Sequence, residues 1–496
     1  MKTMQFERAE GVRANSAIAI NVGGAGVRLL SLKARRRVRG ICTARAMKQR
    51  PADVGWSGCS LIRGLFSLLL AVLALLQTGC QPAENEEALD VVQPPRVSDV
   101  PLRILILGEV PEPGLIKRQW LADSDQPIEI EAAPGELELA RIEQCDVVVF
   151  PAMLIGDLVA AEAIYELPAL DSLGMDGEST SMAPSGGRLA QVKYGDSVFA
   201  TPLGCSLTLV LGNASLKAAL GDENEAHTWD EVLANIEAGD EADFSEVDLD
   251  GVALVDRFLA IVAALTERTA TYGVLFEMQT MQPRLTQFEF VRAAEILKSL
   301  AKQPGGAEAV GGSHSQAWQW ASQGERPRVG ISIVNQIDAT ARETVEGEII
   351  SIESATSAKG WNTGHGMVAS VSTNCRQSAQ ATAFLNWLSS SNTRTSMANS
   401  MKGVDAPGGL GATDGLAWRA TQLLPELLSN DVPHEPSLPG ALNYRDCLAD
   451  GLTRMLTDDI DPQVVLGEVQ KQWQKVTEEQ AIGQRTQYEK SLGLGF

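Results

Sequence analysis

The stretch Arg103-Ile104-Leu105-Ile106-Leu107-Gly108 decides the fold class, because it is a continuous apolar run that ends in glycine. Such a run is typical of a strand that is buried on both faces. Pro113 then opens a helical stretch, and residues 127–131 alternate as a half-buried strand. A helix at about 135–143 leads to a second buried strand at 146–150. This alternation predicts a parallel α/β sheet with right-handed crossovers.

The α/β pattern continues along the rest of the chain. Thr228 precedes two acidic residues and is expected to cap a helix. Further predicted elements are helices at 154–165, 253–266, 286–302, 315–322, 376–390, 441–457 and 461–480, and strands at 328–334 and 366–371. Trp318 and Trp320 stand two positions apart on one helix, so we expect Trp320 to pack and Trp318 to be exposed.

Charge is divided unevenly along the 496 residues. Residues 1–79 carry 13 basic and 3 acidic side chains, whereas residues 80–496 carry 28 basic and 60 acidic ones, a net charge of −32. An acidic body repels phosphate backbones, so we expect no nucleic-acid partner. The basic run Lys33–Arg39 could itself be a nucleic-acid or nuclear-targeting motif, but its place before a signal segment favours an extended leader.

Residues 65–76 form an apolar run behind Arg63. As a helix they would rise about 18 Å, too short for a hydrocarbon core of about 30 Å. The run suits a secretory signal of residues 1–79, with Met47 as an alternative start. Its end, Thr78-Gly79-Cys80, resembles a bacterial lipobox. The resemblance implies cleavage before Cys80 and a lipid on its thiol, although an ordinary signal peptide with an incidental cysteine remains the alternative.

The acidic, proline-containing residues 80–100 are predicted to be a tether that exposes the domain at the cell envelope. Four cysteines of the body, Cys145, Cys205, Cys375 and Cys447, are far apart, so buried thiols and disulfides both stay open. We found no metal-ligand spacing, nucleophile motif or dinucleotide motif, and therefore expect no cofactor, no metal and no catalysis.

Six fragments, in this order, resemble family 1 extracellular solute-binding proteins of ABC importers, the maltose-binding-protein-like type II periplasmic binding proteins. The resemblance covers about residues 101–480. The fragments are Asp146–Phe150 with the helix 154–165, Phe199–Gly204 leading to Asn213, Thr228–Glu231, Trp320–Glu325, Ala379–Leu388, and Pro462–Leu466 with Trp473.

The resemblance implies two lobes, each a mainly parallel sheet flanked by helices, with a solute in the cleft between them. Lobe 1 would comprise residues 101–204 and about 352–405, and lobe 2 residues 205–351 and about 406–496. The solute would bind at the carboxyl ends of the strands and be enclosed by hinge bending.

Candidate ligand residues follow from these strand ends. Glu109 and Phe150 end lobe 1 strands, and Asn335 and Gln336 end a lobe 2 strand, although surface or turn roles are equally open. Compared with the family, Pro151 stands where an aromatic is usual, and Ser206 stands where a carboxylate is usual. Both departures weaken the expected sugar contacts.

The segment Gly360–Gly366 places an indole, an amide and an imidazole between glycines. Trp361 could stack on a sugar or pack in the core, and Asn362 and His365 could bind hydroxyls. Tyr444 falls near the family's C-terminal stacking aromatic.

The sequence thus predicts a lipid-anchored, monomeric binding component of an ABC importer that captures a small polar solute, a carbohydrate in our interpretation, and contacts the permease subunits. The alternative is a degenerate relative that kept the fold, lost the transported ligand and has a structural or interaction role. The departures at Pro151 and Ser206 favour this alternative.

Overall fold

The structure is a computed structural model. It describes residues 99–108, 112–133, 137–168, 186–221, 226–236, 244, 247–266, 274–337, 347–352, 360–398, 400–406, 420, 427, 433–480 and 483–493. All of them lie in the second of two compact units, Val91–Phe496. The leader, Cys80 and Glu109 lie outside the described residues, so the signal, the lipid anchor and the role of Glu109 stay predictions.

Helices and strands are numbered here in chain order over the described residues. The helices are α1 (Pro113–Asp123), α2 (Leu139–Ile142), α3 (Ile155–Ala160), α4 (Gly186–Ala190), α5 (Ala214–Leu220), α6 (Trp229–Asn235), α7 (Gly251–Leu265), α8 (Phe288–Ala301), α9 (Gly306–Gly311), α10 (His314–Ser322), α11 (Ser378–Ser389), α12 (Ser391–Met397), α13 (Ala441–Thr457), α14 (Pro462–Glu479) and α15 (Gln484–Ser491). The strands are β1 (Leu102–Ile106), β2 (Ile128–Ala132), β3 (Val147–Pro151), β4 (Lys193–Tyr194), β5 (Ser197–Val198), β6 (Thr201–Pro202), β7 (Ser206–Gly212), β8 (Val329–Ile333), β9 (Glu348–Ile349), β10 (Asn362–Thr363) and β11 (Met367–Val371).

The first sheet has the strand order β2-β1-β3-β11-β6. β1 pairs in parallel with β2 and β3, as the opening strand–helix–strand pattern predicts. β11 returns from far along the chain and inserts antiparallel between β3 and β6. β1 and β3 are buried almost throughout, because the apolar run of β1 and its counterpart in β3 are covered on both faces. This sheet is the centre of lobe 1.

The second sheet is built on β7, which pairs with β8, β9 and β10. Every one of these described pairings is antiparallel, so the expectation of a mainly parallel sheet is wrong for lobe 2. The reason is the direction of the chain crossings. β7 carries the chain away from lobe 1, and β10 carries it back. β8 ends on the side that faces lobe 1. Both β8 and β10 therefore run antiparallel to β7.

The core of lobe 2 is helical. Helix α7 is buried from Ala253 to Ala263 and packs with α8, α9 and α13. Within it, the guanidinium of Arg257 donates to the carbonyls of Ile331, Val310, Gly312 and Ser313, at 2.6–3.0 Å. Burial lowers the pKa of Arg257 to about 10, so the group keeps its charge at neutral pH.

Two local predictions have opposite outcomes. The Thr228 cap is confirmed, since its side chain accepts from the Glu231 amide while the Glu231 carboxylate accepts from the Thr228 amide. The exposed position of Trp318 is wrong. Trp318 is 0% exposed and Trp320 is 7% exposed, because α10 packs against β8 and β7 on one side and α9 on the other.

Candidate interlobe site

Three segments carry the chain between the two sheets, at residues 203–206, 364–367 and 403–406. The amides of Leu203 and Gly204 donate to the Met367 carbonyl at 2.9 and 3.1 Å, and the Met367 amide donates to the Gly403 carbonyl at 2.9 Å. The Asp405 amide returns to the Leu203 carbonyl at 3.2 Å. The crossings therefore form one hydrogen-bonded ribbon between the two sheets, which we call the hinge.

Glycine permits this close approach of the three crossings. A Cβ on Gly204 would lie 2.1 Å from the Gly403 carbonyl oxygen, and one on Gly366 would lie 2.5 Å from the Gly204 oxygen. Gly403 also has a φ of +79°, a left-handed conformation that side chains disfavour. Larger residues at these positions would separate the crossings.

A buried carboxylate fixes the third crossing to both lobes. Asp405 accepts from Arg188 of α4 at 2.7 Å and from the Cys205 amide at 3.0 Å. Its other oxygen accepts from the Asn335 side chain at 3.1 Å. Lobe 1, the first crossing and the end of β8 thus meet at one charged group.

Two predicted ligand residues belong to this hinge network. Ser206 donates to the Asn335 side-chain oxygen at 3.0 Å, and the Asn335 amide group also donates to the Cys205 carbonyl at 3.2 Å. Ser206 is 0% exposed and Asn335 is 4% exposed. Their polar atoms therefore bind each other and Asp405 in this conformation, and a solute could reach them only after rearrangement.

The predicted aromatic contacts are buried as well. Trp361 is 0% exposed and belongs to the lobe 2 core, so neither ring face is open for stacking. Phe150 lies in the core of the first sheet. Tyr444 packs edge-on to Phe276 and Trp473 and pairs its hydroxyl with Thr477 at 3.0 Å.

The remaining predicted residues differ in exposure. Asn362 is 1% exposed and pairs through its backbone with Leu207. It thus joins the second sheet, ten residues past the boundary near 352 that the resemblance implied. Gln336 is half-buried, and the His365 side chain keeps 17% of its surface, with Nε2 3.4 Å from Asp256. Among the described candidates, Gln336 and His365 are the ones that retain surface.

Sequence reasoning missed a buried ionic cluster beside the second crossing. Arg445 donates to both oxygens of Glu435, at 2.8 and 2.7 Å, and to Asp256 at 2.6 Å. Asp256 also contacts His314 at 3.2 Å. A signal was present, because Asp256 and Arg257 interrupt an otherwise apolar helix, and charged residues in such a place are almost always paired.

The cluster keeps Asp256 ionised. Burial raises the pKa of Asp256, but Arg445 and the two histidines outweigh burial and hold that pKa well below its ordinary value. For His314 the balance is opposite: burial lowers the pKa of the imidazole more than Asp256 raises it. His314 is therefore a neutral partner of a charged carboxylate at neutral pH.

Two cavities flank lobe 2. One of about 20 Å³ lies between Phe276, Tyr444, Trp473 and Leu438, room for about one water molecule and far too small for a sugar. Another of about 230 Å³ lies on the far side of lobe 2, where Lys298, Lys302 and Asp459 line the ends of α8 and α13. It touches none of the predicted ligand residues.

The described residues hold no group of three or more His, Cys, Asp or Glu side chains arranged for a metal ion. In the same part of the chain, no helix combines the length and apolarity needed to span a bilayer. All four cysteines of the body are free thiols, and burial raises the pKa of Cys145 to about 12. Of the two alternatives for these four cysteines, the structure therefore shows thiols and not disulfides.

These features define a two-lobe periplasmic-binding-protein fold, with helices on a parallel-containing sheet and three crossings as a hinge. The chain has the fold of ABC-importer solute-binding proteins of the sugar-binding type, as the sequence resemblance predicted. No protein-family model matches the sequence. No curated protein matches it either.

Solved structures carry the likeness. An ABC transporter solute-binding protein from Agrobacterium radiobacter K84, in complex with ribitol, has a TM-score of 0.57 and 14% identity, over 77% of this chain and 99% of its own. The sugar-binding protein MalE of Xanthomonas citri has a TM-score of 0.56 and 10% identity, over 77% and 98%. Maltose-bound MalE3 of T. maritima has a TM-score of 0.52 and 13% identity, over 76% and 100%. At these identities the likeness concerns the fold.

Proposed function

We propose that this protein is the solute-binding component of an ABC importer and that it binds a small sugar or polyol between its lobes. The observation that carries the proposal is the hinge itself, three glycine-lined crossings that join two separate sheets. Such an arrangement lets a ligand act by differential affinity for the closed state. The proteins of similar fold that are bound to ribitol and to maltose support a polyhydroxyl solute.

The finer parts of the proposal rest on the sequence. The lipobox-like Thr78-Gly79-Cys80 supports export and a lipid anchor at Cys80, with the body held at the cell envelope beside the permease subunits. We propose a monomer without catalytic activity. Lobe 1 would be residues 101–204 with about 352–405, and lobe 2 would be residues 205–351 with about 406–496. The pairing of Asn362 with Leu207 favours a return of the chain to lobe 1 after residue 362.

The second candidate is a relative that keeps the fold without a transported solute. Burial of Ser206, Asn335 and Trp361 favours it, because these positions have internal partners or no open surface. It would have a structural or interaction role at the envelope.

A thermal-shift series with ribitol, D-mannitol and maltose separates the two candidates. A solute at 100 times its Kd should stabilise the protein by about 2.7 kcal/mol. Saturable shifts with at least one polyhydroxyl compound, and none with a neutral amino acid, are expected for the importer component. Flat responses across sugars, polyols and amino acids, with a cooperative unfolding transition throughout, would favour the second candidate.

A further inference from the structure

One short segment, Pro433–Leu438, lies between the lobes, and we call it the latch segment. Every residue in it except His434 is buried. Toward lobe 2, the Asn362 amide donates to the Pro433 carbonyl at 2.8 Å and the Glu435 amide donates to the Asn362 carbonyl at 2.9 Å. The segment thus adds itself to the edge of the second sheet.

The latch segment also contacts lobe 1, where β3 ends. Ser437 donates to the Ala152 carbonyl at 3.0 Å. Just after the segment, the Gly440 amide donates to the Asp157 carboxylate at 2.8 Å. Helix α3 lies so close that a Cβ on Gly156 would be 1.9 Å from the Ser437 carbonyl oxygen.

Glu435 ties the latch segment to the hinge. One carboxylate oxygen accepts from the Gly364 amide of the second crossing at 3.1 Å, and both accept from Arg445. Because Arg445 is itself paired with Asp256 of α7, the segment is anchored in the lobe 2 core. Charge-assisted, fully buried hydrogen bonds of this kind are among the stronger ones in proteins.

The same segment contacts both lobes at the cleft in which the proposed function places the solute. It contacts Ala152, which follows β3 in lobe 1, and the backbone of Asn362 in lobe 2, which is one of the predicted binding positions. Pro436 and Leu438 also help to close the small cavity over Tyr444. Contacts that bridge both lobes, the usual contribution of a bound solute, are therefore made by the chain itself.

We propose that the latch segment holds the lobes together in the absence of solute and must leave the cleft before a solute can enter. The inference rests on the proposed function only in taking this cleft as the solute site. Closure of the lobes by the latch segment itself does not depend on any ligand.

Hydrogen–deuterium exchange on the full chain, without solute, tests whether the latch segment holds the lobes together. The wild type should protect the amides of Asn362, Gly364, Glu435 and Gly440 as well as those of α8, because each has a hydrogen-bond partner across the latch. Rapid exchange of these four amides in folded wild type overturns the proposal, and this readout needs no variant.

Gly156→Ala provides the release, because its new methyl group would collide with the Ser437 carbonyl, and the substitution changes no side chain that forms an ion pair. The latch amides should then exchange at least about 10-fold faster, with α8 unchanged. Gly467→Ala is the matched control, a mid-helix glycine of α14 whose nearest neighbour is 3.9 Å away. Equal protection in Gly156→Ala and in the control overturns the latch.

A solute arm keeps the two proposals apart. The probes are ribitol, D-mannitol and maltose. A probe that binds the wild type should bind Gly156→Ala about 10-fold more tightly. If a probe binds both forms equally, the latch segment does not occupy the solute site, and the inference that it must leave before a solute enters is wrong. If none binds either form, the proposed function fails, while the exchange data still decide the latch.

Discussion

The guanidinium of Arg445 and the carboxylate of Asp256 lie 2.6 Å apart, with 7% and 0% of their side chains exposed. They belong to helices α13 and α7, and the two residues are 189 positions apart in the sequence. Through Glu435, the same guanidinium reaches the second crossing. The stability of lobe 2 and the position of the hinge are thereby linked through one side chain.

Removing that guanidinium should be costly. We expect Arg445→Leu to lower the free energy of unfolding by about 3–5 kcal/mol, because Asp256 and Glu435 would keep buried charges without their partner. Arg454→Leu, further along α13, is the control, since its pair with Glu468 is about half exposed and worth less than about 1 kcal/mol. Urea unfolding measures both, and equal losses would contradict the prediction.

Close packing of the crossings can be measured separately from backbone strain. Gly403→Ala combines a positive φ with a Cβ 2.5 Å from the His365 carbonyl oxygen, whereas Gly483→Ala has a φ of +86° and open space. We expect Gly483→Ala to cost about 1 kcal/mol and Gly403→Ala to cost about 1–3 kcal/mol more. Chemical denaturation of both variants is the test. Similar losses would show that the crossings can move apart freely.

Acidification should destabilise the protein in two stages. Burial, opposed by Asp256, lowers the pKa of His314 from 6.5, so below that pH the unfolded chain takes up a proton that the folded chain does not. Stability should fall by up to about 1.4 kcal/mol per pH unit below 6.5, until the folded pKa is reached. The carboxyl of Asp256 has a folded pKa well below 3.8. Its ionised form therefore stabilises the protein above pH 3.8, and this stabilisation is lost as the pH falls through the folded pKa.

His314→Asn tests the first stage. The variant should be less stable at pH 7.5 but should show a flatter dependence of the urea midpoint on pH between 7 and 5. Gln319→Asn, at an exposed position of α10, is the control; it replaces no titratable group and should keep the wild-type slope. An unchanged slope in His314→Asn would remove this histidine from the explanation.

The lipid anchor gives a prediction outside the described residues. Metabolic labelling with a radioactive fatty acid should mark the wild type, and Cys80→Ser should lose both the label and the membrane-bound fraction. Cys59→Ser should keep both, because that cysteine lies in the segment that the lipobox predicts to be cleaved off. Label retained by Cys80→Ser would contradict the lipobox.

Much of the fold was accessible from local sequence. The buried runs of β1 and β3, the Thr228 cap and helices α13 and α14 follow from patterns that neighbouring residues complete among themselves. Predicted bounds for α13 coincide with the observed ones, and those for α8 differ by one or two residues at each end. Strand direction in lobe 2 and the burial of Trp318 did not follow, since both depend on elements distant in the chain.

The candidate site shows the same division. Sequence reasoning selected Asn335 at the end of a strand, Ser206 after a crossing and Trp361 before a crossing strand as candidate ligand residues, and their role in binding stays a prediction. It could not show that Asn335 would bind Asp405, 70 residues away, or that Glu435 would reach Gly364, because such pairings depend on three crossings meeting.

Sequence alone therefore determined the α/β class, the two-lobe resemblance and the acidic body, because hydrophobic period and charge are properties of short stretches. Tertiary structure decided which polar groups face one another across the hinge and which chain segment lies between the lobes. A buried polar group must find a partner wherever the backbone brings one, and only the folded chain determines where that is.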